Sequence, residues 1–193
     1  MPLLTAPAVE PGTLSSQPQP VLGAGAVVLR PFRPNDSDLV VRGYADPEIQ
    51  RWHVRSVTAE ESTAWIYKRQ LRWQAESGAD WAISAGGEFV GRMGLCKLDL
   101  EEGVGEVTYW LLPEHRGRGH ASAALTILTD WAFTLGLGRL ELVHSVQNAP
   151  SCRVAEHAGY LLEGVKRHAG LHADGWHDMH LHARVAAPAP RPS

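Results

Sequence analysis

Several features that mark particular classes of protein are scarce in this sequence of 193 residues. Its two cysteines, Cys96 and Cys152, are too few for a disulfide framework and favour a reducing compartment. No run approaches the ~20 consecutive apolar residues that span a bilayer. The N-terminus lacks the basic and apolar regions of a secretory signal. The net charge of -3 offers no basic field for nucleic acid. These absences predict a cytoplasmic protein without membrane or nucleic-acid partners.

The amino-acid composition is that of a single globular domain. A hydrophobic fraction of 44% and a charged fraction of 20% are ordinary for a chain with a core. Residues 1–25 contain five prolines and no apolar periodicity, so they are interpreted as a flexible Pro/Ala-rich tail. Residues 186–193 are interpreted as a second flexible tail. The folded domain is therefore predicted over residues 26–185.

Helix and strand patterns alternate along the predicted domain. Between 121 and 135 the apolar residues recur every three or four positions, which is typical of an amphipathic helix. A T-x-x-E capping box that begins at Thr58 predicts a helix over 59–77. Asp174-Gly175, between two β-rich runs, predicts a hairpin. The pattern favours an α/β (α+β) domain with a mixed, mostly antiparallel central sheet flanked by helices.

The most informative segment is 106–121, which reads EVTYWLLPEHRGRGHA. A β-rich run leads into a loop with two glycines, and the loop opens the amphipathic helix. The N–H groups of a helix's first turn lack intrahelical partners and lie at the positive end of the helix dipole. Gly117 and Gly119 let the backbone approach a ligand closely, and Arg116 and Arg118 add positive charge. The segment predicts an anion site suited to a pyrophosphate, although a solvated turn has the same composition.

Three motifs, taken together, resemble one family. Arg116-x-x-Gly119-x-Ala121 is similar to the R/Q-x-x-G-x-A/G loop of the GNAT acetyltransferase superfamily. Asn148 to Ser151, followed by Gly159-Tyr160, resembles that family's N-x-x-S…G-F/Y segment. Leu162-Glu163-Gly164 and the run DGWHD at 174–178 resemble the ending of its RimJ/RimL-type branch, which acetylates protein N-termini. The resemblance covers nearly all of 26–185.

The resemblance implies a GNAT fold and an N-acetyltransferase that uses acetyl-CoA as co-substrate. The acceptor would be a primary amine, either a protein N-terminus or a small molecule such as an antibiotic or a polyamine. Relatives often dimerise, so a homodimer is also expected. A non-catalytic acetyl-CoA-binding sensor or assembly module is the alternative, because Ala155 stands where many GNAT enzymes carry an acid tyrosine.

The resemblance also assigns binding roles to individual residues. The strand end would pair with the pantetheine arm, the loop N–H groups would hold the pyrophosphate, and an asparagine would bond the pantetheine or orient the thioester. These residues are, in that order, Leu111 and Leu112; Arg116, Gly117, Arg118, Gly119, His120 and Ala121; and Asn148. The region that walls the acceptor site in this fold contains Trp52, His53 and Arg55, which would either touch the substrate or only pack the domain.

Amide formation needs a neutral amine and a proton for the leaving thiolate. An α-amino group, with a pKa of about 7.7–8, loses its proton at pH 7 for about 1 kcal/mol, whereas a lysine amine costs about 4.6 kcal/mol. Glu106 is the candidate base, against the alternative of a surface carboxylate. Ser151 is the candidate acid, against the alternative of a helix-cap serine. A histidine from 168–172 could replace the base.

Five of the ten histidines fall between 168 and 182. His180 and His182 share a strand face, with His168 and His172 across the hairpin. Since no cysteine or clustered carboxylate is expected to complete a tetrahedral set, and the resemblance calls for no metal, none is expected. The histidines are interpreted as a polar strand face that lines the acceptor cleft.

Overall fold

The computed structural model of the chain describes residues 4–23 and 25–187. Within these residues, seven strands form one sheet and five α-helices pack against it. The strands are β1 (Val27–Pro31), β2 (Ala79–Ala85), β3 (Glu88–Asp99), β4 (Val104–Leu111), β5 (Arg139–Ser145), β6 (Leu161–His172) and β7 (Gly175–Val185). The helices are α1 (Ser37–Ala45), α2 (Pro47–His53), α3 (Ala59–Gln74), α4 (His120–Leu135) and α5 (Ala149–His157). In the described part of the chain, every helix is too short or too polar to cross a membrane.

The sheet confirms the predicted fold class, because it is mixed and mostly antiparallel. The strand order is β1-β2-β3-β4-β5-β7-β6, and β4 and β5 are the parallel neighbours. Their ladder runs from Val104 opposite Arg139 to Val107 opposite Leu142 and then stops. Both strands continue beyond that point, so they diverge and leave a gap in the middle of the sheet. Backbone groups of β4 that face this gap have no neighbouring strand to bond.

Two apolar clusters cover the two faces of the sheet. The helix predicted over 121–135 begins at His120 and packs residues such as Leu125 and Leu128 into one cluster. Helices α1, α2 and α3 cover the other face, where Tyr44 packs against Trp110 at the end of β4. The gap between β4 and β5 therefore opens between two rigid layers, which fixes the positions of side chains at its rim.

The N-terminal segment packs on the domain, which differs from the predicted tail. Val9, Leu14 and Leu22 are buried in the main core. The indole of Trp73 donates to the carbonyl of Gln17 at 2.9 Å. The composition hides these contacts because three apolar side chains suffice to anchor the segment, while prolines dominate the rest. At the other end, Ala186 donates to Gly138 at 2.9 Å, and residues 188–193 of the predicted C-terminal tail lie outside the described residues.

Helix α3 ends at Gln74, earlier than the 59–77 predicted from its pattern. Its start agrees with the capping box, since Thr58 accepts from the backbone of Glu61 and the Glu61 carboxylate accepts from the backbone of Thr58. Glu76 has a left-handed φ of 52°, which terminates the helical path. The carboxylate of Glu76 is held by backbone N–H groups of the N-terminal segment, so a distant part of the chain helps to set this helix end.

Candidate active site

A cleft of about 630 Å³ opens where β4 and β5 diverge. Its walls come from β4, the loop before α4, the first turn of α5 and the helix α2. The structure brings together eleven of the residues that the sequence predicts for the site. They are Trp52, His53, Glu106, Leu111, Arg116, Gly117, Gly119, His120, Ala121, Asn148 and Ser151.

The glycine loop forms one end of the cleft. Gly117 and Gly119 have φ values of 72° and 78°, in the left-handed region that favours glycine. Gly119 is also the N-cap of α4, so the first N–H groups of a 16-residue helix lack intrahelical partners at this end of the cleft. No described atom lies within 4 Å of the place where a Cβ would stand on either glycine. The loop thus offers open space lined by backbone donors, as an anion site requires.

The guanidinium of Arg116 is engaged in ion pairs with two carboxylates. Its Nη1 lies 2.6 Å from Glu48 Oε2, and its Nη2 lies 2.6 Å from Asp46 Oδ1. Its Nε donates to the carbonyl of Leu111 at 3.2 Å. Partial burial alone would raise the pKa of Asp46, but hydrogen bonds from Arg116 and from the backbone of Ile49 lower it. The Arg116 side chain therefore fastens the loop to the start of α2, and its positive charge is balanced by two carboxylates at the wall of the cleft.

Three residues of the predicted site lie away from the cleft wall. Leu112 is 1% exposed and packs in the apolar cluster under α1 and α2. Arg118 and Arg55 are both exposed, one on the glycine loop and the other in the connection after α2. Leu112 directly follows Leu111, the last residue of β4. Because adjacent side chains of a strand point to opposite faces, Leu112 packs on the opposite side of the sheet from Leu111.

Helix α5 brings Asn148 and Ser151 to the cleft. Asn148 Oδ1 accepts from the backbone N–H of Ser151 at 3.1 Å, so Asn148 is the helix cap and the Ser151 hydroxyl has a different partner. That partner is Tyr109 on β4, whose hydroxyl donates to Ser151 Oγ at 3.0 Å. Burial raises the pKa of Tyr109 to about 12, so its hydroxyl stays protonated at neutral pH. Ala155 is fully buried in the core.

Sequence reasoning missed Tyr109 as a functional residue. The only signal in the sequence was its position in the motif-bearing strand, two residues before Leu111. Its meeting with Ser151 joins two elements 42 residues apart, which no local pattern reveals. The structure thus supplies a tyrosine hydroxyl in a chain whose α5 carries alanine at the family's tyrosine position.

Glu106 lies on the opposite face of β4 from Tyr109, towards the α2 side of the cleft. Its Oε2 is 2.6 Å from Lys97 Nζ, and its side chain is 19% exposed. The hydrogen bond to Glu106 raises the pKa of Lys97. The other carboxylate oxygen, Oε1, accepts a weak hydrogen bond from the Cys96 thiol at 3.8 Å, and both residues line the cleft. This position suits a group that accepts a proton through water.

Trp52 and His53 form the wall contributed by α2. His53 Nε2 donates to the carbonyl of Tyr109 at 2.9 Å, since a carbonyl oxygen can only accept. Burial, helped by the charge of Arg92, lowers the pKa of His53 to about 4, so the ring is neutral. The Trp52 ring meets His172 edge-on, with centroids 6.1 Å apart. The α2 wall is therefore tied both to β4 and to the end of the β6–β7 hairpin.

The hairpin histidines do not form one polar strand face, contrary to the sequence interpretation. His172 lines the cleft and stacks on His177, with ring centroids 4.2 Å apart. His177 is hydrogen-bonded to Asp174 Oδ1 and to Ser145 Oγ, each at 2.8 Å. His182, by contrast, is fully buried. The hairpin histidines therefore divide: His172 of β6 lines the cleft, whereas His177 and His182 of β7 are buried.

Comparison with known proteins identifies the class that this fold and cleft define. The sequence model of the acetyltransferase (GNAT) domain matches residues 26–161, most of the chain. The chain therefore belongs to the GNAT acetyltransferase family and is an acyltransferase, as the motifs predicted. An uncharacterized N-acetyltransferase of Bacillus subtilis (strain 168), YoaA, is 26% identical over 153 residues, which are 77% of this chain and 86% of that protein.

Two further relatives connect the chain with the RimJ/RimL-type branch. A ribosomal-protein-serine acetyltransferase of Escherichia coli (strain K12) is 30% identical over 99 residues, which are 51% of this chain and 55% of that protein. The structure of Mycobacterium smegmatis RimJ in complex with CoA-disulfide superposes with a TM-score of 0.77 at 26% identity, covering 87% of this chain and 86% of that one. The predicted branch resemblance is confirmed.

Proposed function

We propose that the cleft binds acetyl-CoA and passes its acetyl group to the α-amino group of a peptide or protein N-terminus. The observation that carries this proposal is the coincidence of two features at one site. The gap leaves β4 beyond Val107 without a strand neighbour on the β5 side, and the helix N-terminus at Gly119 supplies anion-binding N–H groups at its end. A ligand with a pyrophosphate and an amide-bearing arm fits both features.

The donor lies with its pyrophosphate against the N–H groups of the loop from Gly117 to Ala121. Its pantetheine arm follows the β4 backbone at Leu111, and its thioester reaches the first turn of α5 near Asn148 and Ser151. The Asn148 amide oxygen already caps α5, so its NH₂ group is the donor left for the pantetheine or the thioester. The Mycobacterium smegmatis relative, whose structure holds a CoA-disulfide, supports this choice of donor.

An α-amino acceptor suits the modest acid–base equipment of the cleft. Removing its proton at pH 7 costs about 1 kcal/mol, against about 4.6 kcal/mol for a lysine amine. Glu106 is a half-buried carboxylate already paired with Lys97, which fits the easier of the two tasks. The Escherichia coli relative is a ribosomal-protein-serine acetyltransferase, which favours a peptide terminus. Trp52 and His53 would wall this acceptor, and the exposed Arg55 would contact residues further along it.

The reaction requires two proton transfers: the amine nitrogen loses a proton and the leaving sulfur gains one. The amine nitrogen attacks the thioester carbon, and Glu106 receives an amine proton through a water molecule. The carbon–sulfur bond then breaks and the thiolate leaves. Ser151 protonates the sulfur while Tyr109 passes its own proton to Ser151 along their 3.0 Å hydrogen bond. Tyr109 then regains a proton from solvent, and Glu106 releases the amine proton to solvent, so both groups return to their starting states. We also retain a homodimer and a cytoplasmic location as predictions of the sequence.

Thiol release from acetyl-CoA tests this proposal against a panel of amines. The panel contains peptides with free α-amines, lysine peptides with blocked termini, polyamines and aminoglycosides. We expect turnover with the free α-amines. If only the polyamines or aminoglycosides are acetylated, the acceptor is a small amine and not a peptide terminus. If no amine gives thiol release although acetyl-CoA binds, the sensor alternative is favoured.

A pair of variants at Gly119 tests the donor site by calorimetry. Gly119→Asp should weaken acetyl-CoA binding at least about tenfold, because its carboxylate would stand beside the pyrophosphate. Gly119→Asn is the matched control, since asparagine imposes the same backbone strain at φ 78° without the charge. Equal affinities of the two variants would contradict the anion loop.

A further inference from the structure

A second cluster of chemically reactive side chains lies between α5 and the strands β5 and β7, beside the cleft that His144 also lines. His144 on β5 stands opposite His180 on β7 in the antiparallel ladder, and His182 lies on the same face of β7 two residues further on. Helix α5 covers that face and places Cys152 over the three imidazoles. One nitrogen from each ring and the Cys152 sulfur all lie within 4.8 Å of one another. Three imidazoles and one thiol from three elements thus converge on a single point.

We propose that His144, Cys152, His180 and His182 form a four-coordinate site for a divalent transition metal, with Zn²⁺ as the ion that the ligands suit best. Imidazole nitrogen and thiolate sulfur are the preferred donors for Zn²⁺, whereas Mg²⁺ and Ca²⁺ require oxygen. Four protein ligands complete a tetrahedron and leave no position for a substrate. The site is therefore structural, and it goes beyond the acetyl transfer that we propose for the cleft.

The distances in the cluster match tetrahedral coordination. Zinc bonds of about 2.3 Å to sulfur and about 2.0–2.1 Å to nitrogen place the two donor atoms about 3.5 Å apart at a tetrahedral angle. Cys152 Sγ and His182 Nε2 lie 3.6 Å apart. The outer separations, up to 4.8 Å, need a contraction of up to about 1.4 Å for tetrahedral zinc, which rotation of the side chains would have to supply.

The hydrogen bonds around the rings favour the tautomers that bind a metal. His144 Nδ1 lies 2.8 Å from the carbonyl of Ser145, so it carries the proton and leaves the Nε2 lone pair for a ligand. His182 Nδ1 faces the carbonyl of Tyr160 at 3.5 Å, and its Nε2 points to Cys152. A backbone carbonyl that fixes the second ring nitrogen is the usual outer shell of a metal-binding histidine.

Two ring nitrogens in the cluster are buried without a hydrogen-bond partner. Among the described residues, His144 Nε2 and His180 Nδ1 are both in this state. Buried polar atoms almost always have a hydrogen-bond partner, so two buried nitrogens without one in the same cluster call for an explanation. A metal ion accounts for the His144 atom directly, and for His180 if Nδ1 is its ligand atom. Ordinary packing of neutral rings accounts for neither.

The sequence predicted no metal because no cysteine completes a set within the hairpin. The ligands in fact come from β5, α5 and β7, and His168 and His172 take no part. A bound ion would link α5 to the sheet. Since α5 carries Asn148 and Ser151 in its first turn, the metal would hold both residues at the cleft.

Cobalt substitution in the full-length protein tests the site. After removal of metal with a chelator, Co²⁺ is titrated and then displaced by Zn²⁺. We expect one equivalent to bind, with visible bands of tetrahedral cobalt and a near-ultraviolet cobalt–thiolate charge-transfer band. Cys152→Ser should abolish the charge-transfer band and weaken Zn²⁺ binding at least about tenfold, as loss of one of four ligands predicts.

Further variants keep the test decisive. His180→Gln, at a partly exposed position, should weaken Zn²⁺ binding yet keep the charge-transfer band. Cys96→Ser and His168→Gln change the same residue types outside the cluster and should bind metal like the wild type. Circular dichroism verifies that each variant is folded. A wild-type protein without the charge-transfer band, or a Cys152→Ser protein that keeps it, would overturn the site.

Discussion

Glu106 and Tyr109 are three residues apart on β4, and their side chains lie on opposite faces of the strand. Glu106 faces the α2 side with Lys97, while Tyr109 meets Ser151 under α5. One strand thus carries the proposed base on one face and, on the other, the tyrosine that supports the proposed acid Ser151. In the proposed reaction, Tyr109 takes the place of the tyrosine that Ala155 replaces on α5.

The proposed roles predict different kinetic defects in two variants. Glu106→Gln should lower kcat at least about tenfold while acetyl-CoA affinity is unchanged, since a positioned base contributes roughly 10²–10⁴-fold.

Tyr109→Phe should lower kcat for acetyl-CoA, and a donor with a better leaving group, such as an acetyl aryl thioester, should restore part of the rate. Steady-state kinetics between about pH 6 and about pH 9 measure both effects.

Each proposed role would be contradicted by one specific kinetic result. A pH profile of Glu106→Gln that coincides with the wild type would remove Glu106 as the base, and the cleft-lining His172 would take its place. A Tyr109→Phe enzyme with equal losses for both donors would show that Tyr109 positions α5 without supplying a proton.

At the scale of elements, a single carboxylate joins the N-terminal segment to the end of α3. Glu76 accepts from the backbone N–H groups of Gly12, Leu14 and Ser15 at 2.7, 2.7 and 3.0 Å. Its slight burial alone would raise the pKa of Glu76, but these backbone hydrogen bonds lower it. The segment's position thus depends on an interaction that its proline-rich composition does not show.

Glu76→Gln should loosen this segment. The amide has one acceptor oxygen where the carboxylate has two, and its NH₂ group would face other N–H donors. We expect a loss of about 1–3 kcal/mol in the free energy of unfolding, together with faster proteolysis within residues 4–23. Urea denaturation and limited proteolysis measure the two effects. Glu88→Gln, at the exposed first residue of β3, is the matched control, and equal behaviour of the two variants would contradict the role of Glu76.

At the scale of the whole molecule, buried histidine makes stability depend on pH. The pKa of His53 is about 4 in the folded protein because of burial and the nearby Arg92, against 6.5 for an unperturbed histidine. The unfolded chain therefore takes up this proton first. The contribution of His53 to stability is complete above pH 6.5 and is lost as the pH falls towards 4.

His53→Gln should reduce this dependence on pH. The glutamine can still donate to the carbonyl of Tyr109 but does not titrate. We expect the difference in unfolding free energy between about pH 7.5 and about pH 4.5 to shrink by about 1–3 kcal/mol relative to the wild type. Urea midpoints at the two pH values measure it. An unchanged difference would show that His53 takes up its proton within the folded protein.

The sequence by itself determined the fold class and the family of this protein, and it predicted the glycine loop before α4 as an anion site. Those features are local: the apolar period of α4, the capping box at Thr58 and the glycines at 117 and 119 act within a few residues of one another. Each depends on backbone geometry and helix electrostatics, which a short stretch of sequence specifies.

Only the tertiary structure decided which distant side chains meet. Tyr109 and Ser151 come from β4 and α5, and Cys152 reaches His182 across 30 residues. The same is true of Arg116, whose predicted charge is taken up by Asp46 and Glu48, 70 and 68 residues away. Packing of α2 and α5 on the sheet sets these contacts, and long-range packing leaves no periodic trace in the sequence.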